Sequence, residues 1–236
     1  MKQIKFILLL ISIVSFNITE AQVKEPMLHY LIRDAKIKQS KPPVIILLHG
    51  YGSNEQDLFA FANQLPDSFL VISAQAPNKL GNDSYAWYPL DFSTGKLAYK
   101  KEEAEKSRLQ ILQFIIQLES KHQFDAKRVY VCGFSQGGIL AYGLGLTNPD
   151  KIKGIAVLSG RLLEEIKLLV KSNENLKSMK IFVSHGTNDK VIDVSYARDA
   201  HIYLQQLKLK PSYHEYPVGH TISNDMFNDL INWLKK

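Results

Sequence analysis

Short apolar runs alternate with longer amphipathic stretches along most of this chain. The apolar runs are rich in β-branched residues, as is typical of strands buried on both faces of a sheet. They cover residues 44–48, 69–73, 128–132, 155–158 and 181–184, and a shorter strand is predicted at 212–216. Stretches with helical spacing cover residues 55–62, 99–122, 136–146, 194–207 and 227–234. This order predicts βαβ units, and therefore an α/β fold with a mostly parallel central sheet and helices on both faces.

Two segments lack this regular pattern. Residues 75–98 combine Gly, Pro, Asn and aromatic residues without periodicity, which predicts a long loop of the kind that often carries function. Residues 161–178 predict a charged surface helix with a loop, and the sequence leaves open whether this segment covers a site as a lid. No domain boundary is evident after residue 22, so we expect a single domain over residues 22–236.

The first 21 residues form a different kind of segment. Lys2 and Lys5 precede an apolar run from Phe6 to Phe16, and Ala21 offers a small residue for cleavage. This layout is typical of a secretory signal peptide, and the run is about half of the ~20 residues that a membrane span needs. We expect residues 1–21 to be removed and the protein to be exported, periplasmic or secreted, with no stable membrane insertion. An uncleaved membrane anchor is the alternative.

Composition narrows the possible functions. The hydrophobic fraction of 45% and the charged fraction of 22% are ordinary for a globular protein. The net charge is +6, but the lysines are scattered, so we expect no nucleic-acid partner. Cys132 is the only cysteine; it excludes an internal disulfide and is predicted to be buried. No metal-binding or dinucleotide-binding motif is present, so no metal or cofactor is expected. The oligomeric state cannot be predicted.

Residues 133–137, Gly-Phe-Ser-Gln-Gly, match the pattern G-x-S-x-G. A β-branched run leads into this motif and a helical run leads out, which is the strand–turn–helix setting of a nucleophile elbow. The turn is tight, so glycine fits at its flanks, and the hydroxyl of Ser135 is lifted clear of the sheet. Ser135 is therefore the candidate nucleophile.

A serine hydroxyl needs a base, which is usually a histidine oriented by a carboxylate. In this fold the expected chain order is Ser, then Asp, then His. His220 follows the predicted strand 212–216 and precedes the last helix, so a loop can deliver its imidazole to the sheet edge. Asp189 lies in the loop after strand 181–184, at the same edge. Asp193 is the main rival, but it directly precedes a helix, where capping explains it.

Acyl transfer also needs hydrogen-bond donors for the developing oxyanion. The backbone N–H of Gln136 is one candidate, and the loop of residues 49–52 after strand 44–48 is placed to offer the second. Trp87 and Tyr88, in the long loop, either line a substrate pocket or form a small loop core.

Taken together, these segments resemble the phospholipase/carboxylesterase family of α/β-hydrolases, which includes acyl-protein thioesterases and small bacterial carboxylesterases. The matching pieces are Leu-Leu-His-Gly-Tyr-Gly at 47–52, Ala-Trp-Tyr at 86–88, Gly-Phe-Ser-Gln-Gly-Gly at 133–138, His-Gly-Thr-Asn-Asp at 185–189 and Gly-His at 219–220. The resemblance covers about residues 41 to 232. It implies an α/β-hydrolase fold and hydrolysis of small carboxylic esters.

By position, the resemblance assigns Ser135 as nucleophile, Asp189 as orienting acid and His220 as base. It assigns the backbone amides of Tyr51 and Gln136 as oxyanion donors. Tyr51 departs from the family, which often has leucine there, and the signal peptide departs from thioesterases that act inside cells. The sequence therefore predicts a serine carboxylesterase acting on a small-molecule ester. A thioesterase or lysophospholipase, a small serine peptidase and a non-catalytic binding protein remain alternatives.

Overall fold

The computed structural model describes residues 27–91, 93 and 98–236. The predicted signal peptide, residues 1–21, lies outside the described residues. The strands in chain order are β1 (Tyr30–Arg33), β2 (Val44–Leu48), β3 (Leu70–Ala74), β4 (Asn78–Gly81), β5 (Ser84–Ala86), β6 (Leu90–Asp91), β7 (Ala98–Tyr99), β8 (Val129–Phe134), β9 (Gly154–Leu158), β10 (Lys180–Gly186) and β11 (Ser212–Tyr216). The helices are α1 (Glu55–Phe59), α2 (Lys101–Lys121), α3 (Gln136–Thr147), α4 (Glu164–Lys167), α5 (Glu174–Lys177), α6 (Ser195–Gln206) and α7 (Asn224–Leu234).

Seven strands form the central sheet in the order β1-β3-β2-β8-β9-β10-β11. Strand β1 pairs antiparallel with β3, whereas every other neighbouring pair in this sheet is parallel. The predicted mostly parallel sheet is confirmed. Because the parallel strands point the same way, their carboxyl ends meet at one edge, where ligands bind in open α/β sheets.

Helices cover both faces of the sheet. Successive side chains of a strand point to opposite faces, so each buried strand has apolar side chains on both faces that helices cover. In β2, Val44, Ile46 and Leu48 pack into one apolar cluster, and Ile45 and Leu47 pack into another. The first cluster receives side chains of α2, α3 and α6, and the second those of α1 and α7. Helices on both sides of the sheet therefore explain why the strands predicted from apolar runs are buried.

Two segments differ from their predicted structure. Residues 75–98 include the hairpin β4–β5 and the short pair β6–β7. Residues 161–178 hold two short helices, α4 and α5, rather than one charged surface helix. This segment buries leucines and an isoleucine in the core, namely Leu162, Leu163, Ile166 and Leu176.

Among the described residues, no helix is both long enough and apolar enough to span a membrane.

Candidate active site

Ser135 lies at the turn between β8 and α3, in a backbone conformation that residues with side chains rarely adopt. Its φ is 53° and its ψ is −115°. Such left-handed values are costly for a non-glycine residue, and they persist only where the surroundings impose them. The carbonyl of Leu158, at the end of β9, accepts the Ser135 N–H at 2.9 Å. The turn thus holds Ser135 at the carboxyl edge of the sheet.

The glycines that flank Ser135 make the tight turn possible. A Cβ atom on Gly133 would lie 2.2 Å from the carbonyl of Gly137, and one on Gly137 would lie 2.1 Å from the carbonyl oxygen of Leu48. Both clashes are with backbone, which cannot rotate away as a side chain can. Helix α3 can therefore pack closely against β2 and β8 only if both positions are glycine.

The structure brings Ser135, His220 and Asp189 into one hydrogen-bonded line. The Oγ of Ser135 lies 2.9 Å from His220 Nε2, and His220 Nδ1 lies 2.7 Å from Asp189 Oδ2. An ionised carboxylate only accepts hydrogen bonds, so His220 donates through Nδ1–H. The Nε2 lone pair of the neutral imidazole is then directed at the serine hydroxyl. This arrangement can transfer a proton from Ser135 to His220.

The carboxylate of Asp189 is fully buried, and the backbone compensates for its lost hydration. Its Oδ1 accepts the N–H groups of Val191 and Ile192 at 2.8 and 2.9 Å, while Oδ2 faces His220. The Asp189 side chain has 0% solvent exposure, against 17% for that of His220. Backbone donors of this kind stabilise the ionised form of a buried carboxylate.

Two neighbouring loops carry Asp189 and His220, and backbone hydrogen bonds tie these loops together. The loop after β10 donates from Thr187 N–H to the carbonyl of Tyr216 at 2.7 Å and from Asn188 N–H to that of Val218 at 3.0 Å. Gly186 permits this contact, since a Cβ there would lie 2.4 Å from the carbonyl oxygen of Val218. The separation between the carboxylate and the imidazole is therefore fixed by β10 and β11.

Asp193, the rival for the orienting acid, lies just before α6. It accepts the N–H of Ser195, the first residue of that helix, at 2.9 Å, so a bond to the helix start accounts for it, as the sequence suggested. Two other histidines that follow Ser135 in the chain have partners of their own: His201 stacks on Tyr213, and His214 lies 2.8 Å from Ser212 Oγ.

His185 has a closer relation to the site than the sequence indicated. It is fully buried, with Nε2 at 2.7 Å from the carbonyl of Ile192 and 3.3 Å from Asp189 Oδ2. It braces the loop of residues 189–192. Its position at the end of β10, four residues before Asp189, is the sequence signal that would have identified it.

The loop of residues 49–52 approaches Ser135 closely. A Cβ on Gly50 would lie 3.4 Å from the Cβ of Ser135, and Gly52 has a φ of +80°. His49 fixes the start of the loop: its Nε2 accepts the N–H of Ala76 at 3.1 Å, and its Nδ1 lies 2.7 Å from the carbonyl oxygen of Gly50. Burial lowers the pKa of His49, which favours the neutral ring that this bonding requires. The segment that contains Tyr51 is thereby held beside the serine.

Gln136 is the first residue of α3, and the first N–H groups of a helix have no partner within the helix. The side chain of Gln136 is held by two hydrogen bonds to the backbone of the 86–88 segment. Oε1 accepts the N–H of Trp87 at 2.8 Å, and Nε2 donates to the carbonyl of Tyr88 at 2.8 Å. These bonds orient the backbone next to Ser135.

A pocket of about 620 Å³ opens above Ser135 and His220. The other lining residues are Tyr51, Tyr88, Leu90, Gln136, Ile139, Arg161, Val191, Ile192 and Tyr196. Burial raises the pKa of Tyr88 above its usual value, so its phenol is neutral near neutral pH. Most of this wall is aromatic or aliphatic, and it suits the apolar part of a small molecule.

Of the two aromatic residues assigned to the pocket, only Tyr88 lines it. The assignment of Trp87 needs correction, because that side chain is 0% exposed and packs behind the pocket. Its indole N–H donates to the carbonyl of His49 at 2.9 Å, and its own carbonyl accepts the hydroxyl of Ser107. Trp87 belongs to the main hydrophobic core rather than to the small loop core that the sequence offered as the alternative.

Comparison with known proteins identifies the same family that the sequence motifs resemble. Residues 34–236 match the sequence model of the phospholipase/carboxylesterase family. A relative described as a probable carboxylesterase, SOBER1-like, from Arabidopsis thaliana is 30% identical over 81% of this chain and 78% of its own length. Acyl-protein thioesterase 1 of Yarrowia lipolytica is 25% identical over 84% of this chain and 93% of its own length.

Solved structures agree on the fold. The crystal structure of esterase PE8 superposes with a TM-score of 0.76 and 26% identity, covering 88% of this chain and 98% of that one. The carboxylesterase of Bacillus cereus gives a TM-score of 0.77 at 20% identity, covering 89% and 95%. These likenesses confirm the predicted α/β-hydrolase fold.

Proposed function

The chain belongs to the phospholipase/carboxylesterase family of α/β-hydrolases, and from this premise we propose that it is a serine carboxylesterase that cleaves small carboxylic esters through an acyl-enzyme. The observation that carries the proposal is the hydrogen-bonded line from Ser135 through His220 to Asp189 at the base of the pocket. The substrate is a small-molecule ester, and no cofactor takes part in the mechanism.

In the first half-reaction, Ser135 Oγ attacks the ester carbonyl carbon as its proton moves to His220 Nε2. The carbonyl π electrons move to oxygen and form a tetrahedral intermediate. When the intermediate collapses, the bond to the alcohol oxygen breaks, and His220 returns the proton to that oxygen. The alcohol departs and the acyl group stays on Ser135.

In the second half-reaction, water replaces the alcohol. His220 Nε2 takes a proton from the water as its oxygen attacks the acyl carbon, and the same proton returns to Ser135 Oγ when the acid leaves. Asp189 holds Nδ1–H throughout and stabilises the imidazolium that forms twice in each cycle. Its buried carboxylate acts strongly because little water screens it.

The oxyanion of each intermediate needs fixed donors. We assign the backbone N–H groups of Gln136 and Tyr51 to this role. The position of Gln136 at the start of α3 and the approach of the 49–52 loop to Ser135 support the assignment. Loss of one such donor typically costs ~3–4 kcal/mol of transition-state stabilisation.

Thioester hydrolysis is the second candidate function, because a relative that covers most of this chain is described as an acyl-protein thioesterase. The same attack and proton transfers release a thiol in place of an alcohol. The two candidates differ only in the leaving group, so they are separated by kinetics.

The test is hydrolysis of 4-nitrophenyl esters of increasing acyl length, the matching thioesters and short peptide anilides. We expect ester or thioester turnover, and Ser135→Ala lowers kcat/KM by about 10⁴-fold or more. Ser178→Ala, which removes an exposed hydroxyl that donates to the carbonyl of Asn175, is the control and leaves kcat/KM unchanged. Full activity of Ser135→Ala, or preferred cleavage of the anilides, contradicts the proposal.

We also propose that the protein is exported and acts outside the cytoplasm. The basic start and short apolar run of residues 1–21 support this location. Mass spectrometry of the exported full-length product is expected to show a chain that begins at residue 22. Retention of residues 1–21, or recovery only from the cytoplasm, contradicts export by cleavage.

A further inference from the structure

Arg161 lines the same pocket as Ser135 and His220. Its guanidinium lies over two tyrosine rings, 5.3 Å from the centroid of Tyr99 and 5.5 Å from that of Tyr196. We propose that Arg161 binds a carboxylate on the substrate, so that the enzyme prefers esters with an anionic group. This inference rests on the proposed esterase function and narrows its substrate class.

The main chain before Arg161 is fixed against the serine turn. Ser159, directly after β9, has a φ of 50° and donates its N–H to the carbonyl of Ser184 at 2.9 Å. At Gly160, a Cβ would lie 2.9 Å from the carbonyl carbon of Gly138, in the first turn of α3. Arg161 therefore enters the pocket from a rigid backbone, and its side chain is further held by the tyrosine rings. A preorganised cation of this kind loses little entropy when it binds a ligand.

The charge of Arg161 has no carboxylate partner in the described part of the chain. Its Nε is buried and has no hydrogen-bond partner there. The other arginines differ: Arg108, Arg128 and Arg198 each pair with a carboxylate, and Arg33 donates to backbone carbonyls. Buried donors are usually satisfied, so an unpaired guanidinium in a pocket points to a ligand.

Two acidic side chains share a second hollow with Arg161, distinct from the pocket of Ser135. Glu164 and Glu165 line this hollow of about 380 Å³ together with Arg161 and Lys101. The Glu165 carboxylate accepts the hydroxyl of Tyr99 at 2.9 Å. Neither carboxylate lines the pocket that contains Ser135 and His220, so that pocket offers no acidic group that would compete with a substrate carboxylate.

The composition of the pocket lining allows a single cation to select substrates by their charge. Among the described residues that line it, Arg161 and His220 are the only basic ones, and none is acidic. A guanidinium stacked on aromatic faces keeps its N–H groups free at its edge, where a carboxylate binds through two parallel hydrogen bonds. The apolar walls weaken solvent screening and strengthen that contact.

The experiment compares esters that differ in one charge. The first pair, 4-acetoxybenzoate and its methyl ester, places the carboxylate on the leaving group. The second pair, monomethyl adipate and dimethyl adipate corrected for its two ester bonds, places it on the acyl group. Rates are measured at constant pH with the full exported chain. The pair that shows the preference identifies which half of the substrate faces Arg161.

We expect wild-type kcat/KM to favour the anionic ester in at least one pair by about 10-fold, the gain from one charged hydrogen-bonded contact. Arg161→Gln removes this preference, chiefly through KM, because it lowers kcat/KM on the anionic ester much more than on its neutral partner. Arg161→Lys restores part of it. The control Arg198→Gln, which removes an equal charge outside the pocket, leaves the preference intact.

The inference fails if neither pair shows a preference, or if a preference survives Arg161→Gln. Equal loss on anionic and neutral esters also contradicts it, since this marks a structural role. In these cases hydrolysis of the neutral esters that depends on Ser135 keeps the proposed function intact. If no ester is hydrolysed, the proposed function fails, and the substrate preference fails with it.

Discussion

Individual residues at the carboxyl edge of the sheet hold conformations that the rest of the fold must stabilise. Ser135 and Ser159 both have positive φ values, 53° and 50°, and the carbonyl of Leu158, just before Ser159, accepts the Ser135 N–H. Conformations of this kind cost on the order of 1–3 kcal/mol each, and they concentrate at functional sites. The strained residues lie where Ser135 and Arg161 are positioned, in two turns that the hydrogen bond from the Ser135 N–H to the Leu158 carbonyl joins.

The hydrogen bond between Asp189 and His220 sets the ring tautomer. We predict that Asp189→Asn lowers kcat by about 10³–10⁴-fold, because an amide can donate to Nδ1 and leave the proton on Nε2. The control Asp193→Asn alters only a helix cap and is expected to change kcat by less than about twofold. Steady-state kinetics on a 4-nitrophenyl ester, with circular dichroism of each variant, makes the comparison. A larger loss in the Asp193 variant would reverse the assignment.

At this scale the sequence predicts the site through chain order and strand ends. Ser135, Asp189 and His220 each follow a strand that ends at the same edge, and the apolar pattern predicts these strands. The pattern does not predict which aromatic residue faces the pocket, since Trp87 and Tyr88 are adjacent and only the surrounding structure distinguishes them. Arg161 also follows a strand end, but nothing in the sequence shows that it lacks a carboxylate partner.

At the scale of elements, the close contact of α3 with β2 and β8 holds the serine turn in place. Helix α3 is buried around its whole circumference, and both of its neighbouring strands are fully buried along most of their length. Interiors of this density do not absorb additional atoms without backbone movement.

We predict that Gly137→Ala destabilises the protein by about 3 kcal/mol or more, since the new Cβ would lie 2.1 Å from the carbonyl oxygen of Leu48. Gly81→Ala is the matched control, because a Cβ there meets nothing within 4 Å and the position is exposed. The free energy of unfolding from urea titration separates the two. Equal stability of both variants would contradict the packing described here.

The strands buried on both faces were predicted, whereas β1 and the short strand pairs of residues 78–99 were not. Strand β1 has no continuous apolar run, and it is stabilised by pairing with β3 rather than by burial, so its sequence carries little signal. The hairpin β4–β5 is short and has only one buried residue, Ala86, so its sequence carries little signal as well. Helices α4 and α5 each span four residues, about one turn, which is too short for a helical period to be recognised.

For the molecule as a whole, the segment 161–178 is anchored in the core, and its first residue, Arg161, lines the pocket. Four of its apolar side chains join the main core, and the carbonyl of Lys167 accepts the hydroxyl of Tyr203 at 3.2 Å. A lid that opens must expose what it covers, and here opening would uncover core residues. This burial argues against the segment 161–178 as a lid, the question that the sequence left open.

We predict no interfacial activation by the segment 161–178. The rate on tributyrin is expected to rise with concentration and to level off smoothly through the solubility limit, because this segment is anchored in the core and does not open for substrate. Initial rates on both sides of that limit, titrated at constant pH, provide the measurement. A sharp increase when droplets form would indicate a moving cover and would contradict the anchoring of this segment.

The most direct test of the account is covalent labelling of Ser135 by a fluorophosphonate, read by intact mass and peptide mapping. A serine activated by His220 displaces fluoride and forms a stable phosphonyl ester, whereas an ordinary serine hydroxyl reacts negligibly. We expect one adduct per chain, on Ser135, which forms much more slowly in His220→Gln and is absent in Ser135→Ala. An adduct that persists in Ser135→Ala, or no adduct on a folded wild-type chain, would contradict it.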